Sequence, residues 1–451
     1  MKARPAAVRS YSALPFVAME VTPEELAKLA ADPLVVSISE NIKLHTRLVQ
    51  SAALIRAPAA WSAGYTGAGQ TVAILDTGVD KNHPFLAGKV VSEACYSSGG
   101  YCPGGRTIST EVNSALPCPV TEECAHGTHV AGIAAGNQSE FSGIAKNANI
   151  IAVQVFSPDN DNPGEIIAWF SDVLAGLNRI FELRTTYNVS SVNISLGGYR
   201  AQRTCDKAYP AMTAAIANLR SAGIATIISS GNEGWTDSTA FPACISQAVS
   251  VGSVSDSAVG TCDDGQPMIA DKVACYSNSA SFLSLLAPGS LITSSVPGGN
   301  YESWEGTSMA APHVTGAWAL LKQKFTDASV TEILAAFQSS GQMVTDYRAT
   351  RRPITKSRID VAAALNGLTR LSIAKTGTDG GTVNITTPRG TIACSSDCSL
   401  PIVTGTMVKL TAKADRGSRF IGWTGGGCSR PRPCTLPLSS ALSMTAIFSM
   451  R

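Results

Sequence analysis

Short apolar runs alternate along the chain with longer stretches of helical spacing. Residues 72–75, Val-Ala-Ile-Leu, form a continuous apolar run between polar neighbours, as expected of a strand buried on both faces. Runs of the same kind at 150–155, 192–195, 224–229 and 248–251 predict further strands. Between and after them, residues 165–182, 206–222, 311–324 and 330–337 repeat apolar positions at helical spacing. The stretch after His129, ending at Gly136, consists mostly of small residues and lets a helix press closely on a sheet. Strands alternating with helices predict an α/β fold with a doubly wound, mostly parallel sheet.

The two ends read differently. Residues 16–21 alternate like a strand, Thr22-Pro23-Glu24-Glu25 is a capping box with proline at the first helical position, and 34–39 reads as a second strand. Near Asn366-Gly367 the composition shifts. From Leu371 the chain is rich in Thr, Gly and Ser, and alternates in short runs such as 408–412 and 444–448, which predicts a small all-β module. The expected division is therefore 1–48, 49–367 and 371–451.

At 451 residues, 44% hydrophobic and 15% charged, the chain has enough apolar material for a large core and more than one domain. No apolar run reaches membrane-spanning length. Twelve cysteines without a CxxC pattern point to disulfides and an oxidising, extracellular compartment. Cys95, Cys102, Cys118 and Cys124 lie in a Gly-, Ser- and Pro-rich surface insertion expected between Glu93 and Cys124, just before His126, where three pairings are open. Proximity favours Cys262 with Cys275, Cys394 with Cys398 and Cys428 with Cys434. From Leu371 onward nine Lys and Arg face three Asp and no Glu, a charge of +6; the whole chain carries +2, so the remainder carries −4. A basic appendage of this kind suits docking on an anionic cell-envelope or matrix surface. The slightly acidic remainder lacks the basic and aromatic clustering of a nucleic-acid binder.

Three segments carry the chemistry: DTGVD from Asp76, HGTHVAG from His126 and GTSMAAPHV from Gly306. A serine hydroxyl is a poor nucleophile, so Ser308 needs an imidazole to take its proton and return it to the leaving group. His126 is the candidate base, and Asp76 the carboxylate that fixes its tautomer and stabilises its cation. Asp76 follows the run 72–75, placing it at a strand's C-terminal end, where open α/β sheets keep their sites. Ser308 precedes an apolar helix whose free amides favour a developing anion. Asn232, beyond the run 224–229, supplies a side-chain donor for an oxyanion, with the Ser308 amide as the second. An aspartic-peptidase reading of Asp-Thr-Gly fails because the chain has one DTG. A zinc reading of His126, His129 and Cys124 lacks the HExxH glutamate.

These four segments resemble the subtilases, the subtilisin-like serine peptidases, over about residues 50–367. The resemblance implies a secreted endopeptidase acting on protein or peptide substrates through Asp76, His126 and Ser308, with Asn232 as oxyanion donor. It implies that Ser195-Leu196-Gly197 pairs with an extended substrate, and that Ile228, Ser229 and Gly231 line the pocket for the residue before the scissile bond, with Glu233 near its floor. It supports Cys205 with Cys244. The strand, helix and strand before residue 48 resemble the C-terminal half of an inhibitory propeptide, so the chain is expected to begin inside a longer bacterial precursor, its signal peptide lying outside this sequence. A cut in the polar, irregular stretch between Leu44 and Ser51 places Leu44 or Leu48 in the specificity pocket and suggests an apolar preference. No cofactor is required: the loop 136–143 offers mainly Asn137, Gln138 and Glu140, too few oxygen ligands to assign a calcium ion or any other metal. Gly422-Trp423 and Gly425-Gly426-Gly427-Cys428 resemble divergent internalin B-repeat modules. The expected molecule is a monomer. The alternative is a catalytically silent surface-binding relative, against which every catalytic position is filled.

Overall fold

The computed structural model describes residues 9–11, 14–19, 21–36, 38, 47–118, 120–258, 261–262, 267–349, 352–378 and 380–451. The chain divides into two units, Met1–Thr46 and Arg47–Arg451.

In the larger unit a ten-stranded sheet forms the frame. Its central strands are β1 (Thr71–Asp76), β2 (Val90–Tyr96), β3 (Asn149–Gln154), β4 (Val189–Ile194), β5 (Ala225–Ser229), β6 (Val249–Val254) and β7 (Leu285–Pro288). Across the sheet they run β7-β6-β5-β4-β1-β3-β2, all parallel. Ile354–Arg358 adds a parallel strand beside β7, and antiparallel strands close both edges. Strand order reverses at β1, so the C-terminal ends of β1 and β4 flank the topological switch point.

The apolar run 72–75 shows why both faces are covered. Val72 and Ile74 enter one core with helices α1 (His126–Ala135) and α4 (Thr307–Lys324). Ala73 and Leu75 enter a second core with α2 (Phe170–Leu183) and α3 (Pro210–Ser221). Alternate residues of one strand thus serve opposite layers, as the period of two requires. The sheet is doubly wound and mostly parallel. Helix α5 (Val330–Ser340) completes the first layer, opening on a Ser329–Glu332 capping box. Among the described residues no helix is long and apolar enough to cross a membrane.

Residues 368–450 form two four-stranded sheets around Leu371, Ile373, Val383, Ile385, Trp423 and Phe448. This module is not strung on a linker. Leu368 and Val403 belong to the first core of the larger domain, and Arg370 donates two hydrogen bonds to Asp327, at 3.0 and 2.5 Å.

Several boundaries differ from expectation. The helix expected over 165–182 begins at Phe170, because Ile166–Ala168 pairs with Phe156–Pro158 as a hairpin after the turn at Pro163-Gly164. The helix expected from 206 starts at Pro210, while Asp206 accepts from the Ser246 backbone and hydroxyl. The cysteine-bearing insertion starts after Tyr96, since Val90–Tyr96 is a strand of the main sheet.

In the smaller unit, Leu14–Ala18 pairs with Arg9–Tyr11, and the capped helix spans Pro23–Ala31. Leu34–Val36 and Ile38 are not in a strand, and Ser37 and Ser39 lie outside the described residues. Arg47–Leu54 is helical, so residues 47–51 of the stretch expected to be cut, Leu48 among them, are not irregular; residues 44–46 lie outside the described residues.

Candidate active site

Asp76 ends β1 and is fully buried. Its Oδ1 accepts from the Thr77 backbone at 2.8 Å and from His126 Nδ1 at 2.7 Å. A carboxylate can only accept, so Nδ1 carries the proton and Nε2 is left as the basic nitrogen. Burial alone pushes the imidazole down, but the charge of Asp76, the hydrogen bond to it and the charge of Glu123 together hold His126 above its ordinary value.

Thr77 ties this pair to the helix. Its hydroxyl donates to the Cys124 carbonyl and accepts from Gly127 N–H, both at 2.9 Å, and its carbonyl accepts from Cys118 at 3.0 Å. The Cys118–Cys124 disulfide closes the same loop. Gly127 is required by close approach: a Cβ there would lie 2.2 Å from the Gly78 carbonyl oxygen.

Ser308 occupies the first turn of α4, after Gly306 at φ 150°. Pro312 lacks an N–H and leaves the Ser308 carbonyl without its helical donor. The Ser195 hydroxyl fills the vacancy at 2.9 Å, while the Ser308 hydroxyl points at the Ser195 carbonyl at 3.4 Å. The helix-breaking residue therefore has a local compensation, supplied by the residue after β4.

Asn232 is oriented by groups that can be read without ambiguity. The Thr307 backbone N–H is an obligate donor, and it lies 2.9 Å from one side-chain atom of Asn232, which must be Oδ1. The Thr307 hydroxyl donates to the same oxygen at 2.9 Å. Nδ2 is thereby freed for the cleft. The asparagine loop is braced from behind by Asn278, which donates to the Ser230 carbonyl at 3.0 Å and to Glu233 Oε2 at 2.5 Å, and accepts from the backbones of Glu233 and Trp235. Gly231, at φ 99°, leaves room for that amide, since a Cβ would come within 2.3 Å of it.

Asp76, His126, Ser308 and Asn232 thus come together over the C-terminal edge of the sheet, and residues 67–356 match the Subtilase family. The chain belongs to the subtilases. Residues 372–450 match the Divergent InlB B-repeat domain. Subtilisin E of Bacillus subtilis is 33% identical over 319 residues, covering 68% of this chain and 71% of that protein. The major intracellular serine protease of the same organism is 29% identical over 335 residues, covering 73% and 89%. A solved structure of proteases from Pseudoalteromonas arctica aligns with TM-score 0.56 and 25% identity, over 71% of this chain and 97% of that one. The protein is a subtilisin-like serine peptidase.

A cleft of about 1380 Å³ runs through the subtilase site. Ser195, Leu196, Gly197, Ser229, Gly231 and Glu233 line it with His126, Asn232 and Ser308. Ile228 does not: it is fully buried in the second core, because it alternates with Ser229 along β5 and faces the opposite layer. The insertion supplies a wall of the cleft through 121–125. Cys95 of β2 pairs with Cys102 of the insertion, and Cys118 with Cys124 within it; the other pairs are Cys205–Cys244, Cys262–Cys275, Cys394–Cys398 and Cys428–Cys434. With Cys124 so engaged, the zinc reading has no thiolate.

The two remaining histidines of these motifs are packing residues. His129 is buried, hydrogen-bonds the Glu302 carbonyl at 3.1 Å and stacks on Trp304 at 4.5 Å, and burial pushes it down to about 3. His313 bridges the Met309 carbonyl and the Ser51 hydroxyl, with burial pushing it to about 4.

Sequence reasoning missed Asn278, Tyr276 and Arg348. The Tyr276 hydroxyl donates to the Gly289 carbonyl at 2.8 Å and accepts from Gly306 N–H at 3.2 Å, supporting the turn into Ser308. Arg348 donates to the carbonyls of Ala274, Cys275 and Ser277, holding the segment that carries both. No local motif marks these three, since each acts on residues distant in the chain.

Proposed function

We propose that this subtilase is a secreted endopeptidase that cuts extended segments of protein substrates through an acyl-enzyme. The supporting observation is the assembly of the Asp76–His126 pair, Ser308 and an Asn232 amide whose nitrogen is left for the cleft. In this reading the substrate adds as a strand beside Ser195-Leu196-Gly197, and its residue before the scissile bond enters the pocket beside Ser229 and Gly231. That pocket suits an apolar side chain, while Glu233 is engaged by Asn278.

The Ser308 hydroxyl leaves the Ser195 carbonyl, gives its proton to His126 Nε2 and attacks the scissile carbonyl carbon. The resulting oxyanion accepts from Asn232 Nδ2 and the Ser308 backbone amide. Collapse breaks the C–N bond as His126 returns the proton to the amine. Water, deprotonated by the same imidazole, then hydrolyses the ester and regenerates Ser308. Asp76 holds the imidazole throughout and stabilises its cation. The deciding experiment is intact-protein mass after an organophosphonate probe: one adduct is expected on the parent and none on Ser308→Ala. An unlabelled parent overturns the reading.

Six disulfides support an oxidising location. The segment before Arg47 acts in this reading as a removable inhibitory prosegment. The C-terminal module docks on an anionic surface through exposed cations such as Lys409, Lys413, Arg419, Arg430 and Arg432, which have no carboxylate partner among the described residues. Lys409→Glu with Lys413→Glu is expected to weaken retention on an anionic polymer at low salt; unchanged retention counts against docking.

A further inference from the structure

The carboxylates of the cleft have no cations to answer them. Asp80, Glu122, Glu123, Glu233 and Glu302 all line it, and among the described residues no lysine or arginine does. None of the five forms a salt bridge there. Asp80, Glu233 and Glu302 accept from neutral donors, the Gly298 backbone, the Asn278 amide and the Trp304 indole. Glu122 and Glu123 are exposed. Nearby cations are turned elsewhere: Lys81, beside Asp80, pairs with Glu93 at 2.5 Å, and Arg200 pairs with Asp237. Residues 1–370 carry a net charge of −4, and the cleft holds five carboxylates without a lysine or arginine among its described lining residues. A concave site lined by one sign of charge attracts ligands of the other sign.

Strand geometry says which substrate position meets Glu122 and Glu123. Side chains of an extended peptide alternate between faces. If the residue before the scissile bond enters the Ser229–Gly231 pocket, its predecessor turns away from it; His126 and residues 121–125 line the cleft as well, and the charge of Glu123 reaches the His126 imidazole. We propose that the wall at 121–125 selects lysine or arginine immediately before an apolar residue at the cleavage point. The chain's own sequence carries this pattern at Lys43-Leu44, where the stretch expected to be processed begins, and again at Arg47-Leu48, which lies in a helix. The inference rests on the catalytic reading above and adds the substrate class.

The test compares two fluorogenic peptide amides, Ala-Ala-Lys-Leu and Ala-Ala-Gln-Leu, on the mature protein. The lysine peptide is expected to have a kcat/KM about three- to fivefold higher at about 20 mM salt, the ratio falling towards one at about 0.5 M as the charges are screened. Glu122→Gln with Glu123→Gln is expected to bring the low-salt ratio close to one. Each single variant lowers it in part, and Glu111→Gln, paired with Arg106 elsewhere in the insertion, leaves it as it is. Equal turnover of both peptides by the parent, or a preference undiminished in the double variant, overturns the inference. Failure of the catalytic reading looks different: neither peptide is cut and the Ser308 probe leaves no adduct.

Discussion

The roles proposed for Asn232 and Ser308 rest on hydrogen bonds that their neighbours cannot reverse. Thr307 presents two donors to one amide oxygen, which leaves the Asn232 nitrogen for the cleft and, in the proposed mechanism, for the oxyanion. Asn232→Ala is therefore expected to lower kcat about a hundred- to a thousandfold with KM little changed, read from steady-state kinetics. The histidine sets the pH profile. Asp76 and Glu123 favour the protonated imidazole, whereas general-base catalysis needs the neutral one. kcat/KM should then rise with pH through a midpoint above the ordinary histidine value of 6.5, and Glu123→Gln should move that midpoint down. His129 and His313 act on stability in the opposite sense. Both stay neutral in the fold down to about 3 and about 4, while in the unfolded chain they protonate below about 6.5. Unfolding thus binds protons, and Tm is expected to fall as pH drops from 6.5 towards 4. A Tm flat across that window would show that their burial does not govern acid stability.

At the scale of elements, the histidine is held by a loop closed on itself. The Cys118–Cys124 bridge, the Thr77 hydroxyl and Gly127 together fix where β1 ends relative to the start of α1. Replacing both cysteines by serine is expected to lower kcat/KM about ten- to a hundredfold, because small displacements of a catalytic group are costly. The pair Cys394–Cys398, in the C-terminal module, serves as control, and its loss should leave kcat/KM unchanged. Element types were legible from periodicity where runs were long, as in β1 and α4. Ile166-Ile167-Ala168-Trp169 fits either period, and only pairing with Phe156–Pro158 makes its first three residues a strand. The start of the insertion was hidden for a similar reason: in Val90–Tyr96 only Ala94, Cys95 and Tyr96 are buried, so its strand signal is weak.

Across the whole molecule, charge and packing divide the labour. The module carries the positive charge and the cleft the negative, yet the two parts share apolar contacts through Leu368 and Val403. Leu368→Ala is expected to destabilise the protein by about 2–5 kcal/mol, measured by denaturant unfolding. Arg370→Ala, which removes an ion pair whose side chains are 34% and 43% exposed, is expected to cost less than about 1 kcal/mol. The reverse order would mean that the ion pair rather than the apolar seam joins the module to the peptidase domain.

The sequence by itself determined the residue types of the site and their places at the ends of strands and the starts of helices. Asp76, His126, Ser308 and Asn232 each stand directly beside the apolar run or helix that presents them, so the relation is covalent and local. It also determined two-sided burial of the sheet, because the run 72–75 has no polar face. Tertiary structure alone decided which way Asn232 points, which hydroxyl replaces the donor missing at Pro312, how Cys95, Cys102, Cys118 and Cys124 pair, and that Ile228 faces the core. Only the tertiary structure could decide whatever joins residues far apart in the chain: Asn278 reaches back 45 residues to Glu233, and Ser195 reaches 113 forward to Ser308. Such contacts follow from the order of strands in the sheet, and strand order arises from how helices and strands pack across it rather than from any local pattern.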